Sequence, residues 1–162
     1  MTTEDRGIRV RRATPEDGRC LIELDRELAR FEKLAPPDDR EAADLLRWIF
    51  ETKELEALVA EAQDRILGMA LFYEGYATFR ARKFLYLEDL VVEESARGSG
   101  AGRALLAALA REAISRNALR LEWAVLDWNT GAIRLYERLG ARRQEWLRYS
   151  MEEEEMGRLA QS

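Results

Sequence analysis

One stretch decides the fold: Tyr86-Leu87-Glu88-Asp89-Leu90-Val91-Val92, followed four residues later by Arg97-Gly98-Ser99-Gly100-Ala101-Gly102. The first run has the apolar and β-branched content of a buried strand, and two adjacent acids interrupt it. Behind the glycines, apolar residues spaced three and four apart continue to Ser115 and predict a helix. A strand, a glycine-rich turn and a helix thus follow one another directly, and backbone N–H groups at such a helix N-terminus can bind a phosphate group.

Two common phosphate motifs fit this turn poorly. A Walker loop ends in Gly-Lys-Ser/Thr, whereas Gly102 is followed by Arg103 and Ala104. A Rossmann fingerprint needs its third glycine one place after Gly102 and an acid that closes the next strand. Taken alone, the motif is equally compatible with an ordinary glycine-rich turn before a helix.

A different family fits better. Arg97, Gly100 and Gly102 form an Arg-x-x-Gly-x-Gly pattern, which resembles the acetyl-CoA pyrophosphate loop of the GNAT N-acetyltransferase superfamily. The run from Trp128-Asn129 through Tyr136 to Gly140-Ala141 looks like the second half of that core. Two motifs in the right order and at the right spacing favour the resemblance over the simple turn.

The resemblance covers roughly residues 8–149 and is closest to the diamine (spermidine/spermine) and thialysine N-acetyltransferase branch, on the pattern Tyr86-Leu87-Glu88-Asp89 and on Phe31-Glu32. It implies an α/β fold: a mixed, mainly antiparallel sheet with a splayed central strand, flanked by helices. It also implies one acetyltransferase domain over residues 1–151, which leaves 152–162 as an acidic, solvated tail.

The same resemblance implies acetyl-CoA as co-substrate. The end of the splayed strand would present backbone groups to the pantetheine arm and one N–H to the thioester carbonyl, where it stabilises the developing oxyanion. The residues expected to contact acetyl-CoA are Leu90, Val91, Val92, Arg97, Gly98, Ser99, Gly100, Ala101, Gly102, Arg103, Asn129 and Ala132.

Two residues are candidates for proton transfer. An amine acceptor with a pKa near 10 must lose a proton before it attacks, and Glu88 is the candidate general base, directly or through water. Strict strand alternation predicts that Asp89 points to the opposite face. Tyr136 is the candidate general acid for the CoA thiolate. The alternatives are a strand acid paired with an arginine for Glu88 and a half-buried packing residue for Tyr136.

The acceptor site is implied by the resemblance and not by spacing. Phe31, Glu32, Glu88 and Trp146 match positions that line the amine site in the resembled branch. The loop with Arg80 and Arg82 lacks the acid of polycation-binding relatives, and an arginine there favours a carboxylate on the acceptor, as in a lysine-like amino acid. Alternatively, these arginines point to solvent or to the adenosine phosphates.

Bulk properties narrow the function classes. The 162-residue chain is 47% hydrophobic and 35% charged, with a net charge of −5, which argues against general nucleic-acid binding. It has no apolar run of membrane-spanning length and no secretory pattern in residues 1–6, so a cytoplasmic protein is expected. Because histidine is absent, Ser-His and Cys-His nucleophile pairs and most zinc sites are excluded, and no metal is expected.

Local patterns predict the remaining elements. The first helix starts at Thr14-Pro15, carries Cys20 on its apolar stripe and runs to about Lys33, and a second helix is capped by Asp38 or Asp39. Further predictions are a first strand at 8–11, a hairpin around Gln63-Asp64, a bulge or close packing at Gly68, a strand at 119–126, and a last pair of strands, or one bent strand, at 142–151.

The sequence therefore predicts an N-acetyltransferase that moves the acetyl group of acetyl-CoA directly to the primary amine of a small molecule. Thialysine, a lysine-like amino acid and a diamine or polyamine are the candidate acceptors, and the resemblance implies a homodimer. Two other classes stay open: an acyl-CoA-binding module without turnover and an acetyltransferase that acts on a protein or peptide.

Overall fold

The computed structural model describes residues 7–162, so the predicted polar N-terminus at 1–6 lies outside the described residues. The chain forms two compact units, Met1–Ala124 and Val125–Ser162, and each is described by itself. None of the helices within residues 7–162 is long and apolar enough to cross a membrane.

The first unit contains a five-stranded sheet in the order β1-β2-β3-β4-β5. The first four strands pair antiparallel, whereas β5 runs parallel to β4. The strands are β1 (Arg9–Arg12), β2 (Glu56–Ala62), β3 (Arg65–Ala77), β4 (Arg82–Val92) and β5 (Leu121–Trp123). The helices of this unit are α1 (Gly18–Phe31), α2 (Asp39–Phe50) and α3 (Ala101–Ser115), and those of the second unit are α4 (Thr130–Arg138) and α5 (Glu153–Ala160).

Local signals place most of these elements as the sequence predicts. Asp38 caps α2 in a capping box, since its Oδ1 accepts the Glu41 N–H at 2.8 Å and the Glu41 carboxylate accepts the Asp38 N–H at 2.8 Å. Gln63 and Asp64 both have positive φ, 51° and 60°, which is the geometry of a tight hairpin turn. The predicted hairpin and the Asp38 cap are confirmed.

The sheet separates two apolar layers. Leu71 of β3 packs in a core cluster with α1 and α2 residues that include Leu21 and Ile49. The next residue, Phe72, points to the other face because successive strand side chains alternate, and there the Arg116 guanidinium at the end of α3 lies 5.8 Å from its ring centroid. Helices α1 and α2 therefore cover one face of the sheet and α3 the other.

A bulge in β4 changes which face its acids point to. Leu71 is opposite Asp89, but Phe72 is opposite Leu87, which leaves Glu88 without a partner on β3. Because Leu71 and Phe72 point to opposite faces, Asp89 shares the face of α1, away from Leu87. Strict alternation between Glu88 and Asp89 was therefore the wrong expectation, since it assumed a regular strand.

The splayed central strand is visible in the pairing of β4 with β5. That pairing runs only from Leu85 opposite Leu121 to Leu87 opposite Trp123. In the described part of the chain, residues 88–92 of β4 have no strand partner on this edge. Their backbone groups on the β5 side are therefore available to a ligand.

Two local predictions were wrong. The strand predicted at 119–126 is limited to Leu121–Trp123, and residues 142–151 form no regular strand. Leu147, Tyr149 and Met151 do alternate with polar residues, but all three side chains are exposed, so the face that suggested a strand is not covered. The acidic tail forms the exposed helix α5, whose N-terminus has a capping box between Glu152 and Glu155.

Cys20 is exposed and does not lie on the packed stripe of α1. The buried residues of α1 are Gly18, Leu21, Ile22 and Leu24. They define a face from which position 20 is rotated away.

Candidate active site

Four carboxylates from two elements meet on the α1 side of β4. They are Asp25 and Glu32, from α1 and the residue that ends it, and Glu88 and Asp89 from the bulge in β4. Burial and the charges of Asp25, Glu88 and Glu32 raise the pKa of Asp89 to about 7. These four residues are called the carboxylate cluster below.

The α1 members of the carboxylate cluster respond in the same direction. Burial raises the pKa of Asp25 above its ordinary value, while the charge of Arg26 acts the other way. Burial also raises the pKa of Glu32. Within residues 7–162, no arginine or lysine forms a salt bridge with Asp25, Glu32 or Asp89. The cluster therefore holds excess negative charge, which a cationic ligand would relieve.

Glu88 is the exposed member of the carboxylate cluster, and a tyrosine fixes it. The Tyr73 hydroxyl donates a hydrogen bond to Glu88 Oε2 at 3.1 Å. The Tyr73 ring lies beside that of Tyr86, its partner across the β3–β4 ladder, with 5.4 Å between centroids. The two rings form an aromatic wall next to the bulge, so an ammonium group at Glu88 would also lie close to aromatic surface.

The glycine-rich turn from Gly98 to Gly102, called the phosphate loop below, has the conformation that its glycines predict. Gly98 and Gly100 have φ of 77° and 101°, and Gly100 is the N-cap of α3. The Ala101 N–H donates to Ser99 Oγ at 3.3 Å, whereas the N–H groups of Gly102 and Arg103 have no acceptor within residues 7–162. Two donors at the start of a 15-residue helix are thus available to an anion.

Close packing keeps β4 and its neighbour in register beside this loop. A Cβ built on Gly68 would lie 2.5 Å from the Val91 carbonyl oxygen, a distance that no side chain tolerates. The Glu93 N–H donates to the Leu67 carbonyl at 2.8 Å directly beyond it. The prediction of close approach at Gly68 is confirmed, and it holds the end of β4 where the loop begins.

Arg82 forms hydrogen bonds with a distant part of the chain. Its guanidinium donates to the Asn117 carbonyl at 2.9 Å and to Asn117 Oδ1 at 3.0 Å, in the turn between α3 and β5. Only Nη2 of Arg82 makes these hydrogen bonds, so a contact of either arginine with a substrate carboxylate or with the adenosine phosphates stays a prediction. Arg80 is exposed in the turn between β3 and β4.

In the second unit, the predicted helix signals are present. Asn129 Oδ1 accepts the Ala132 N–H at 3.2 Å and caps α4. After Tyr136, the helix closes at Gly140, whose φ is 88°, and the Ala141 N–H donates to the Tyr136 carbonyl at 3.0 Å. Trp146 lies in the irregular segment between α4 and α5 and is 86% exposed.

Sequence reasoning missed Asp25 and placed Asp89 on the wrong face. A signal for Asp25 was present, because it lies in the helical row of Leu21 and Leu28, where an apolar residue is expected. A signal for the bulge was the adjacent pair of acids inside an apolar strand. Among residues 7–162, no three His, Cys, Asp or Glu side chains are arranged to hold a metal ion.

Comparisons with known proteins agree with this geometry. Residues 21–141 match the acetyltransferase (GNAT) family. Thialysine N-epsilon-acetyltransferase of Caenorhabditis elegans is 39% identical over 124 residues, which is 76% of each chain. Thialysine N-epsilon-acetyltransferase of Bos taurus is 33% identical over 94% of this chain and 97% of its own.

A solved structure has the same fold. An integron cassette protein from the mobile metagenome of V. cholerae superposes with a TM-score of 0.82 at 26% identity, covering 96% of this chain and 99% of its own. Together with the splayed β4 and the phosphate loop, these matches give the assignment: the chain belongs to the acetyltransferase (GNAT) family and is an acetyl-CoA-dependent N-acetyltransferase.

Proposed function

We propose that the acceptor is a small molecule with a protonated primary amine, that it binds at the carboxylate cluster, and that a thialysine- or lysine-like amino acid is preferred over a diamine or polyamine. The single observation that carries this proposal is the cluster itself, in which Asp25, Glu32 and Asp89 have raised pKa values. An ammonium group there would offset charge that no salt bridge from an arginine or lysine of residues 7–162 neutralises.

The carboxylate cluster also suits the first proton transfer. We assign Glu88 as general base, as its place before the splay suggests. Asp89, next to it in the bulge, takes part in the same proton transfer. A base whose pKa is close to neutral can take the proton of the ammonium and still be deprotonated at working pH. Asp89, with a pKa raised to about 7, meets this condition. The freed amine lone pair then attacks the thioester carbonyl carbon.

The remaining steps use the cofactor residues predicted above. The free amides of Gly102 and Arg103 would bind the pyrophosphate, with Arg97 beside them, and the unpaired edge of Leu90, Val91 and Val92 would orient the pantetheine arm. When the tetrahedral adduct collapses, the C–S bond breaks, and Tyr136 of α4 gives its phenolic proton to the departing thiolate. The excess proton on the amide nitrogen then passes to the tyrosinate and restores the phenol. No covalent enzyme intermediate forms in this scheme.

The choice of acceptor rests on the relatives and on the shape of the cluster. The relatives of Caenorhabditis elegans and Bos taurus are both named for thialysine, which supports an amino acid acceptor. The carboxylate cluster is compact, drawn from two turns of α1 and one bulge, and a long polyamine would need acids spread along a channel. On the family resemblance, we also propose one GNAT domain over residues 1–151 and a cytoplasmic homodimer.

The test measures CoA release from acetyl-CoA with thialysine, lysine, putrescine, spermidine and a short peptide as acceptors. We expect thialysine or lysine to give the highest kcat/KM, and Tyr136→Phe to lower kcat by about 100-fold while acetyl-CoA still binds. A preference for spermidine would refute the amino acid acceptor, and a preference for the peptide would refute a small-molecule acceptor. Acetyl-CoA binding without turnover on the whole panel would instead favour a binding module.

A further inference from the structure

The last two turns of α1 contact the segment that leads into the phosphate loop. Glu27 and Phe31 lie one turn apart on the helix. Glu27 Oε1 accepts the backbone N–H of Glu94 at 2.9 Å and lies 3.7 Å from Arg97 Nη2. The guanidinium carbon of Arg97 lies 5.1 Å from the centroid of the Phe31 ring, within the range of a cation–π contact.

The same segment is fixed from its other side. Arg65, at the start of β3, pairs with the Glu93 carboxylate and donates to Ser95 Oγ at 3.0 Å. Residues 93–97 are therefore held by the β2–β3 hairpin on one side and by α1 on the other, and the turn from Gly98 to Gly102 starts directly after them. Arg97 is the residue at which the fixed segment meets the loop.

The contacts of Arg97 leave its hydrogen-bond donors available. A ring contacts one face of a guanidinium group, whereas the N–H donors lie in its plane and point outward. The separation of 3.7 Å from Glu27 is too long for a hydrogen bond, and within residues 7–162 no acceptor takes a hydrogen bond from the Arg97 side chain. Arg97 is thus held in place without its anion-binding groups being occupied.

We propose that Glu27 and Phe31 are positioning residues that hold Arg97 at the phosphate loop for the pyrophosphate of acetyl-CoA. The proposal rests on the proposed function, in which Arg97 contacts the cofactor. An arginine that is already ordered loses less side-chain freedom when it binds a phosphate, so the two residues act on cofactor affinity. Phe31 then serves the cofactor, and the acceptor role implied for it by resemblance passes to the carboxylate cluster.

Two readouts separate this role from the alternatives. If Phe31 lines the acceptor site, its loss raises the KM of the amine and leaves acetyl-CoA affinity unchanged. If it only stabilises α1, its loss lowers Tm and changes neither affinity. A positioning role predicts weaker acetyl-CoA binding that depends on the presence of Arg97.

The experiment measures the Kd of acetyl-CoA by calorimetry, and KM and kcat for both substrates, in Phe31→Leu, Phe31→Tyr and Glu27→Gln. We expect Phe31→Leu to raise the Kd and KM of acetyl-CoA about two- to fivefold, with the amine KM within twofold of wild type. Phe31→Tyr keeps the ring and should restore wild-type affinity. Glu27→Gln keeps an oxygen for the Glu94 N–H but loses its charge, and should raise the Kd about twofold.

The matched control is Glu23→Gln, which removes a charge from the same helix at a residue paired with Arg19 instead. It should leave the Kd unchanged. The decisive comparison is Phe31→Leu in an Arg97→Ala background, where we expect no further loss of affinity. If Phe31→Leu weakens acetyl-CoA binding equally with and without Arg97, or raises only the amine KM, the proposal is wrong. Because Kd is measured without an acceptor, this outcome is distinct from a failure of the acceptor proposal.

Discussion

Two groups of carboxylates lie on opposite faces of the same sheet. The pKa values of Asp25, Glu32 and Asp89 on one face are raised, whereas those of Glu56 and Glu74 on the other are lowered. On the α1 face, the carboxylate cluster has no arginine or lysine salt bridge to Asp25, Glu32 or Asp89 within the described chain, and burial raises their pKa values. On the α3 face, Glu56, Glu74 and Glu112 pair with Arg12, Lys83 and Arg116. This second group is called the ion-pair network.

Each carboxylate of the ion-pair network has a cationic partner. Arg116 donates to both oxygens of Glu56 at 2.7 Å and to Glu112 at 2.6 Å. Although burial acts against it, hydrogen bonds from Arg116 and Arg12 hold the pKa of Glu56 below its ordinary value. The hydrogen bond from Lys83 at 2.5 Å lowers the pKa of Glu74.

The presence or absence of salt-bridge partners indicates what each group of acids does. Paired acids lower their own free energy in the folded state and contribute to stability. Acids that share a site without a counter-ion raise it, and they are retained where they serve a ligand or a proton transfer. The comparison therefore predicts that substitutions on the α1 face change activity and that substitutions on the α3 face change stability.

The largest effect is expected for Asp89→Asn. Loss of a carboxylate that takes part in proton transfer should lower kcat/KM for the amine by about 100-fold or more, with the acetyl-CoA Kd unchanged. Steady-state kinetics measures kcat/KM, and calorimetry measures the Kd. The matched control on the other face is Glu112→Gln, for which kcat/KM should stay within about twofold of wild type. Equal losses in the two variants would refute the claim that only the acids of the α1 face serve catalysis.

The second effect is a pH-dependent gain in stability in the same variant. The pKa of Asp89 is about 7 in the folded protein and near 3.8 when unfolded, so ionisation costs folding free energy that is absent below about pH 4 and grows as pH rises to 7. Asp89→Asn removes this cost. Its gain in unfolding free energy over wild type should increase by about 2 to 3 kcal/mol between pH 4.5 and pH 8. Urea denaturation at the two pH values measures it, and a gain independent of pH would contradict the raised pKa.

A smaller effect, of opposite sign, is expected for Arg116→Ala. It leaves the half-buried carboxylates of Glu56 and Glu112 with fewer partners, and should lower unfolding free energy by about 2 kcal/mol at pH 7. Thermal denaturation measures the loss, and the amine KM should be unchanged at a temperature where the variant is folded. Arg111→Ala is the control on α3, at an exposed residue. A loss of activity without a loss of stability would show that the ion-pair network does not serve stability.

Much of the fold could be predicted because its signals are local. The Asp38 cap, the Gln63-Asp64 turn and the glycines before α3 each act within a few residues, and the structure has all three. The segment at 142–151 could not be predicted, because a strand also needs a neighbouring strand and a covered face, and its alternating residues Leu147, Tyr149 and Met151 are all exposed.

The site was predictable in part for the same reason. The Arg97 to Gly102 pattern and the acids of β4 are contiguous, so the sequence alone picks them out. Asp25 belongs to the site only through tertiary packing of α1 on β4, and its signal was an acid in an apolar helical row. The contact of Arg82 with Asn117 in the turn after α3 could not be predicted, because the two residues are 35 positions apart in sequence.

The bulge at Glu88 makes the count of residues in β4 matter as much as their identity. If β4 were a regular strand without the bulge, Asp89 would fall on the same face as Leu87, among apolar side chains under α3. Apolar residues before the bulge could replace one another during evolution, but the number of residues in β4 relative to β3 could not change. The turn at Thr78–Arg80, at the far end of the same hairpin, carries no such constraint and is where natural variation in length should accumulate.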